Sequence, residues 1–237
     1  MSAVVIGSVI IIILLIVFQI FTIRRVAGYK RRTFEIARAL FGLLQAERPE
    51  IAASGIHVYL LTACFFDYLP INLKLKINDE ELKYGALLHD IGKLAVPEEI
   101  LNKAGKLEKK EMLLVRSHTD KSEMMLSGIG GLENVAKWVK YHHERIDGKG
   151  YYSLKGDQIP LEARIIAIAD TYSSIILGGS YKPTGTREDA LTVLRMDSGT
   201  QFDEELVDYF SHIPANRLNE AEEELDKIMR KVTDIRL

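Results

Sequence analysis

The chain has 237 residues and a mass of 26.8 kDa, a length that predicts one domain, with or without appendages. Hydrophobic residues make up 47% and charged residues 27% of it, which excludes a disordered or fibrous chain. With 31 basic and 33 acidic side chains the formal charge is −2, and no excess of positive charge points to DNA or RNA. The single cysteine, Cys64, excludes an intrachain disulfide and a two-cysteine zinc site, and it favours a reducing compartment.

The N-terminal segment, residues 1–23, contains no charged side chain and consists mostly of Val, Ile, Leu and Phe. An apolar helix of about 20 residues is long enough to cross a bilayer. A cleaved signal peptide would need a positive start, a shorter apolar stretch and a small-residue cleavage site, and none of these is evident. The sequence therefore predicts an uncleaved transmembrane helix over residues 1–23.

A basic juxtamembrane segment, residues 24–32, follows at once and contains no acid. Its charges are Arg24, Arg25, Lys30, Arg31 and Arg32. Because positive charge is retained on the cytoplasmic side, this segment predicts a single-pass protein with its N-terminus outside and the remainder in the cytoplasm. The same residues are expected to contact anionic lipid head groups. Almost no residues would lie outside, so no periplasmic ligand domain is expected.

The remainder of the chain has the apolar spacing of helices and predicts an all-α fold. Only the stretch 71–77 alternates with a period of two, and we interpret it as one short extended connection between helices. Residues 102–105 are typical of a turn. Helices are predicted over 33–45, with a stop near Pro49, over 56–68 and over 133–141. Further helices are predicted to begin at a capping box formed by Asn78 and Glu81, at Pro160, and at a cap formed by Thr186 and Asp189.

The C-terminal segment, residues 212–237, has apolar residues at alternating steps of three and four. They are Leu218, Ala221, Leu225, Ile228, Val232 and Ile235. This seam is shorter than three heptads, so it predicts an amphipathic helix packed on its own domain rather than a coiled coil. A homodimer through this helix, or through the membrane helix, remains open.

Histidines and aspartates are the residues most suited to chemistry. His89 precedes Asp90 inside an apolar segment, where polar side chains are costly without partners, and His142 precedes His143. Asp170 ends an apolar run, and a buried carboxylate there needs a cation or strong hydrogen bonds. Imidazole nitrogens together with carboxylates suit first-row divalent metals.

Five histidines and two aspartates are too many ligands for one metal ion and about right for two that share a carboxylate. Two ions about 3.5–4 Å apart would activate a bridging water and support an in-line displacement at phosphorus. Lys93, three residues after Asp90, would then hold a non-bridging phosphate oxygen. An exposed lysine at a helix end is an equal alternative for Lys93.

These residues carry a family resemblance. The run His89-Asp90-Ile91-Gly92-Lys93 resembles the signature of the HD superfamily of metal-dependent phosphohydrolases. Tyr141-His142-His143-Glu144-Arg145 followed by Asp147-Gly148-Lys149-Gly150-Tyr151 resembles the second signature of its HD-GYP branch. Similar supporting pieces occur in the same order at 100–107, 165–172 and 198–203. The resemblance covers about residues 33–211 and implies a helical HD-type bundle there.

Known members of this branch hydrolyse cyclic di-GMP, a bacterial second messenger, with bound metal ions. The resemblance implies two ligand sets that share Asp90 as a bridge. The first set is His57, His89, Asp90 and Asp170. The second set is Asp90, His118, His142 and His143.

The resemblance also implies roles for single residues. Lys93 would contact the scissile phosphate, and Lys182 matches a second basic substrate contact. Ala53 stands where members with three metals have a glutamate, so two divalent ions, iron or manganese, are expected. His212 matches no motif and is expected to be an ordinary surface or helix-end residue.

Three positions depart from the family pattern. Tyr152 stands at the position of the proline in the family's Gly-Tyr-Pro triplet. Gly179 stands where the family has an arginine that contacts the nucleotide, and Ser173 stands where the family usually has an aspartate. The set of metal ligands is complete, whereas the set that recognises substrate is eroded.

The sequence thus predicts a membrane-anchored, metal-dependent phosphodiesterase that hydrolyses a cyclic dinucleotide, with cyclic di-GMP the foremost substrate. It would lie in the bacterial cytoplasmic membrane with its catalytic domain in the cytoplasm. The alternative is an HD-GYP-like signalling module that binds metal and a nucleotide or protein partner with little or no turnover. A protein partner would bind at the loop Gly148–Tyr152.

Overall fold

The computed structural model describes residues 3–178 and 184–235, with side-chain placement for all of these except 3–11, 26, 27, 30 and 232–235. Within these residues the regular elements are all helices, which confirms the predicted all-α class. Two short 3₁₀ helices lie at Ile91–Ala95 and Gly156–Gln158. The α-helices, α1 to α12 in chain order, are Ala3–Glu47, Pro49–Tyr68, Ile71–Lys74, Asp79–Leu88, Glu98–Leu101, Lys109–Arg116, His118–Ser127, Glu133–Tyr141, Leu161–Leu177, Arg187–Met196, Glu204–Ser211 and Ala215–Ile235.

Helix α2 is the centre of the fold. It begins at Pro49, where a missing backbone N–H costs nothing because the first helical N–H groups have no partner within the helix. Helices α1, α4, α9 and α12 all pack against α2. Its side chains Val58, Leu61 and Phe65 are fully buried in the main hydrophobic core.

The same helix satisfies the length and composition of a membrane span. Among the residues searched, α2 is the one such helix, and 56% of its apolar window is buried inside the protein. A helix that packs against five others and is mostly buried has the properties of a domain core.

Helix α1 runs without a break through the predicted membrane segment, the basic segment and the helix predicted over 33–45. The expected boundary at residue 33 is therefore not a helix end, since residues 24–32 contain no proline and a single glycine, Gly28. The two parts of α1 differ in burial. Side chains 12–25 are exposed, whereas Thr33, Ala37 and Leu44 are buried against the domain.

The extended connection predicted for 71–77 is wrong. Residues Ile71–Lys74 form one helical turn, and the Leu75 N–H donates to the Ile71 carbonyl at 3.0 Å. The apparent alternation reflects a turn whose side chains Ile71 and Leu75 are exposed between the buried residues Leu69 and Ile77.

Both predicted helix caps are confirmed. The Asn78 side chain accepts a hydrogen bond from the Glu81 N–H at the start of α4. Thr186 and Asp189 form a reciprocal capping box at the start of α10.

The C-terminal helix packs on its own domain, as predicted. Leu218, Ala221 and Leu225 of α12 are buried, and α12 lies against α2. The first and the last helix, α1 and α12, therefore both pack on the same central helix.

Candidate metal centre

Six of the seven predicted metal ligands lie in two groups. Within each group the ligand atoms all lie within 4.8 Å of one another. The first group is Asp90, His118, His142 and His143, and the second is His89, His142 and Asp170.

Most of these ligands stand at helix ends. His89 follows α4, Asp90 precedes the 3₁₀ helix, His118 opens α7, and His142 follows α8. Helix ends carry backbone groups with no partner within the helix. The helix ends thus bring the ligand side chains together and also provide backbone groups that can orient them.

Three of the histidines are oriented in the same way. In each, Nδ1 lies within hydrogen-bonding distance of the carbonyl oxygen three residues earlier. The pairs are His89 with Ala86 (2.8 Å), His118 with Val115 (2.7 Å) and His142 with Val139 (2.6 Å). A carbonyl oxygen can only accept, so Nδ1 carries a hydrogen in each, and whenever the ring is neutral Nε2 has its lone pair free for a metal.

The remaining polar atoms of several candidate ligands form no hydrogen bond. Oδ1 of Asp90 and the Nε2 atoms of His57, His89, His118 and His142 are buried without a hydrogen bond. Leaving so many polar atoms buried and unpaired is costly. Neutral imidazole nitrogens and a carboxylate oxygen are the donors that a divalent first-row metal prefers, so these residues fit such an ion.

Asp90 faces both groups. Its Oδ1 lies 3.2 Å from His118 Nε2, and its Oδ2 lies 3.2 Å from His89 Nε2. Asp170 reaches the same histidine from α9, with Oδ1 at 3.4 Å from His89 Nε2. Asp90 therefore stands where a carboxylate shared between two ions would stand.

Burial sets the charge state of most of the histidines. It lowers the pKa of His118, lowers that of His142 well below its usual range, and lowers that of His143 to about 4. These imidazoles are therefore neutral near pH 7, which is the form that binds metal. Burial acts in the same direction on His89, but the carboxylates of Asp90 and Asp170 outweigh it and raise its pKa to about 10.

Lys93 is tied to the shared carboxylate. Its Nζ lies 2.6 Å from Oδ2 of Asp90, and its side chain is 26% exposed. Lys93 is thus a partly exposed, ion-paired lysine in the 3₁₀ helix, and its contact with a phosphate stays a prediction. Burial would favour the neutral amine, but Asp90 outweighs this and raises the pKa of Lys93.

His57 lies apart from both groups. It is buried on α2, and its Nδ1 is 3.0 Å from the hydroxyl oxygen of Ser173 on α9. Ser173 is one of the positions that depart from the family pattern. The role of His57 as a ligand stays a prediction.

A buried carboxylate, Glu144, holds the loop that follows the histidine pair. Its two oxygens accept hydrogen bonds from the backbone N–H groups of Tyr152 (2.7 Å) and Leu154 (2.6 Å). The Tyr152 hydroxyl lies 2.7 Å from the Thr119 hydroxyl and donates to Asp120 at 2.8 Å, so the residue in the proline position ties the loop to α7. From the sequence, Glu144 was recognised only as part of a family signature. The one signal for its role is that this acidic residue lies between the histidine pair and a glycine-rich loop.

The turn at residues 198–203 supports the loop from its other side. The N–H groups of Ile146 and Asp147 donate to the carbonyls of Gln201 (3.2 Å) and Thr200 (2.9 Å). Arg145 binds Asp147 through two nitrogens, at 3.0 and 3.1 Å, and also binds the Gln201 side chain. These contacts explain why this distant turn accompanies the histidine signature.

A cavity of about 260 Å³ opens beside the clustered ligands. Its lining includes His142, His143, Asp170, Arg116, Tyr151 and Gln201. A larger open groove of about 730 Å³ contains none of the clustered ligands, although His212 borders it. His212 is exposed at the end of α11, as predicted. Gly179 and Lys182 lie outside the described residues.

A helical bundle that gathers histidines and aspartates at its helix ends defines the class of this protein. The family model described as "HD domain" matches residues 69–206, more than half of the chain. The chain therefore belongs to the HD domain family, and the membership predicted from its motifs is confirmed.

Relatives of known name resemble the chain over this region. It is 40% identical over 134 residues to a probable cyclic di-GMP phosphodiesterase of Vibrio cholerae, a match that covers 53% of this chain and 30% of that protein. It is 38% identical over 130 residues to 3'3'-cGAMP-specific phosphodiesterase 1 of the same species, a match that covers 54% of this chain and 30% of that protein. The chain thus spans less than a third of the length of these two relatives.

Among solved structures, Bd1817, an HDG"Y"P protein from Bdellovibrio bacteriovorus, has the same fold. The TM-score is 0.54 at 20% sequence identity, and the match covers 73% of this chain and 56% of that one.

Proposed function

We propose that this protein is a metal-dependent phosphodiesterase that hydrolyses a cyclic dinucleotide, with cyclic di-GMP the foremost substrate. The observation that carries the proposal is the cluster around Asp90 of three buried Nε2 atoms, those of His89, His118 and His142, that form no hydrogen bond. The proposal is supported by the names of the two Vibrio cholerae relatives, which are phosphodiesterases of cyclic di-GMP and of 3'3'-cGAMP.

The proposed cofactor is a pair of divalent ions, iron or manganese. Asp90, His118, His142 and His143 would hold one ion, and His89, Asp170 and Asp90, joined by His57, would hold the other. When bound, such ions supply Lewis-acid stabilisation of charge on a phosphate and lower the pKa of a water molecule.

The residues of the chain supply positioning and charge. Lys93 is held by Asp90 and kept protonated by it, so it can donate to a non-bridging oxygen of the scissile phosphate. The three imidazoles fixed by backbone carbonyls need no reorganisation to present Nε2. Glu144 fixes the loop Gly148–Tyr152 beside the cavity where the substrate would lie.

We also propose that the first part of α1, residues 3–23, crosses the cytoplasmic membrane and leaves the HD domain in the cytoplasm. The exposed large apolar side chains from Ile12 to Ile23 support this, since exposed apolar patches of this size mark contacts with membranes or other proteins. Exposed arginines follow directly at positions 24, 25, 31 and 32. A homodimer and a protein partner at the loop Gly148–Tyr152 stay predictions.

Product analysis of the purified full chain tests the activity. The chain in detergent, with added manganese, is expected to convert cyclic di-GMP, and 3'3'-cGAMP more slowly, to linear or mononucleotide products. Asp90→Asn, which keeps the size of the side chain but removes its charge, should bring both rates to background. A wild-type chain that binds metal and cyclic di-GMP without turnover would contradict the proposal and favour the signalling module.

A further inference from the structure

The cationic side chains around the 260 Å³ cavity differ in how they are paired. Three of them line it, Arg116, Arg145 and Lys149. Arg145 is bound to Asp147 and Gln201, and Lys149 is 80% exposed with its Nζ 3.9 Å from Asp147. Within the described part of the chain, Arg116 has no carboxylate at ion-pair distance.

Arg116 is nevertheless held in place by an aromatic ring. Its guanidinium carbon Cζ lies 4.8 Å from the centroid of the Tyr151 ring. Such stacking restrains the planar guanidinium and leaves its N–H donors free at the edges. The Tyr151 ring in turn lies 5.0 Å, centroid to centroid, from the ring of the metal-ligand candidate His143.

The backbone of Arg116 is also fixed. It is the last residue of α6, two positions before His118, and its carbonyl accepts a hydrogen bond from the Thr119 hydroxyl at 3.0 Å. The position of Arg116 is thus tied to the metal centre through both its backbone and its side chain. A fixed cation with unused donors at the edge of a cavity is suited to a phosphate.

We infer that Arg116, supported by Tyr151, binds the phosphate of the cyclic dinucleotide that is not being cleaved. This inference rests on the proposed function. The scissile phosphate belongs at the clustered ligands beside Lys93, and Arg116 lines the same cavity, in contact with the Tyr151 ring that also contacts His143. A cyclic dinucleotide has a second phosphate on the opposite side of its ring, and a guanidinium binds phosphate through two parallel hydrogen bonds. Arg116 thereby supplies a cation that position 179, a glycine, does not.

Kinetics on two diesters tests the assignment. The full chain in detergent, saturated with manganese, is assayed with cyclic di-GMP and with bis(p-nitrophenyl) phosphate, which has a single phosphate. Arg116→Ala should raise KM for cyclic di-GMP about tenfold to hundredfold with little change in kcat. It should leave KM for the small diester unchanged. Arg116→Lys should lie between, because an ammonium group lacks the planar fork.

Two controls make the result specific. Lys110→Ala removes an exposed cation from the same helix, away from the cavity, and should change neither KM. Cyclic di-AMP, used as a competing ligand, has the same phosphates and a different base. In Arg116→Ala, inhibition by cyclic di-AMP should weaken by the same factor by which KM for cyclic di-GMP rises.

Several results would overturn the inference. These are an unchanged KM for cyclic di-GMP, an equal rise in KM for both diesters, or a loss of affinity for the guanine ligand alone. Thermal unfolding of each variant, with Arg116→Gln as a second neutral variant, separates misfolding from lost binding. A wild-type chain that cleaves neither diester would contradict the proposed function, and the Kd of Arg116→Ala for cyclic di-GMP by calorimetry would still decide the role of Arg116.

Discussion

At the level of single residues, the proposed chemistry depends on which nitrogen of each imidazole is free. His89, His118 and His142 use Nδ1 for a backbone carbonyl and leave Nε2 directed at Asp90 or its neighbours. For His118 and His142, which burial keeps neutral, this selects the tautomer that binds metal, whereas His89 must also release a proton from Nε2 when metal binds. Asp90 faces both groups, since each of its oxygens lies 3.2 Å from a different histidine, whereas His142 is the member that the two groups share.

Replacement of the shared carboxylate should remove both metal and activity. In Asp90→Ala the first group loses a ligand, His89 of the second group loses the carboxylate 3.2 Å from its Nε2, and Lys93 loses its partner. We expect hydrolysis at background and a clear loss of bound metal, measured by elemental analysis of the purified protein. Asp208→Ala, an exposed aspartate of α11, should retain both properties. Full metal occupancy with unchanged activity in Asp90→Ala would refute the ligand assignment.

Glu144 should matter for stability as well as for activity. Glu144→Ala leaves the N–H groups of Tyr152 and Leu154 without their charged acceptor, which should lower the free energy of unfolding by roughly 1–3 kcal/mol. Denaturant titration measures this change, and KM for cyclic di-GMP should rise because the loop beside the cavity is no longer fixed. The matched control, Glu224→Ala, removes an exposed acid 3.5 Å from Lys227 and should change stability by less than about 1 kcal/mol. An equal loss in the free energy of unfolding in the two variants would contradict the stabilising role assigned to the Glu144 hydrogen bonds.

At the level of elements, the ligands are brought together by the close approach of the 3₁₀ helix to α7. The Gly92 N–H donates to the Ser122 hydroxyl at 2.8 Å, and that hydroxyl donates to the carbonyl of His89 at 3.3 Å. A Cβ atom at Gly92 would overlap the carbonyl oxygen of His118 and the backbone nitrogen of Ser122. Glycine is required here because backbone meets backbone.

Gly92→Ala should therefore separate Asp90 from His118. We expect a loss of about 3 kcal/mol or more in the free energy of unfolding, since the clash involves backbone that cannot move aside easily, together with weaker metal binding. Gly128→Ala is the matched control, because Gly128 ends α7 with ordinary helical dihedrals and open space around its Cβ. Denaturant titration and metal analysis of both variants provide the test. A Gly92→Ala protein as stable and as metal-loaded as Gly128→Ala would contradict the packing described.

The sequence predicted the short-range features of the fold and of the site. Runs such as 89–93 and 141–151 contain ligands close together in the chain, and the caps at Asn78 and Thr186 depend on residues three positions apart. Contacts across the fold were not visible, because the pairing of Tyr151 with Arg116 and of Glu144 with its loop depends on tertiary packing. The continuity of α1 and the single turn of α3 were missed because local patterns suit more than one conformation.

At the level of the whole molecule, α1 connects the exposed apolar segment to the region of the site. Its buried Leu44 belongs to a small hydrophobic cluster against which Phe41 and Leu94, the neighbour of Lys93, also pack. The helix proposed to cross the membrane is thus the same continuous helix that packs near Lys93, the lysine proposed to bind phosphate.

The proposed topology has a direct test. A reporter that is active only in the cytoplasm, fused after Leu237, should be active, because the exposed arginines that follow residue 23 hold that side in the cytoplasm. A reporter that works only outside the membrane should be silent at the same position. The opposite pattern would place these arginines on the wrong side and refute the anchor.

The measurement that tests the central claim most directly is hydrolysis of cyclic di-GMP by the full chain before and after its metal is removed. Stripping with a chelator should abolish product formation and lower the melting temperature, because the buried nitrogens and Asp90 lose their partner. Addition of manganese should restore both, with two ions bound per chain at full activity. Hydrolysis that persists unchanged in the stripped protein would contradict the account.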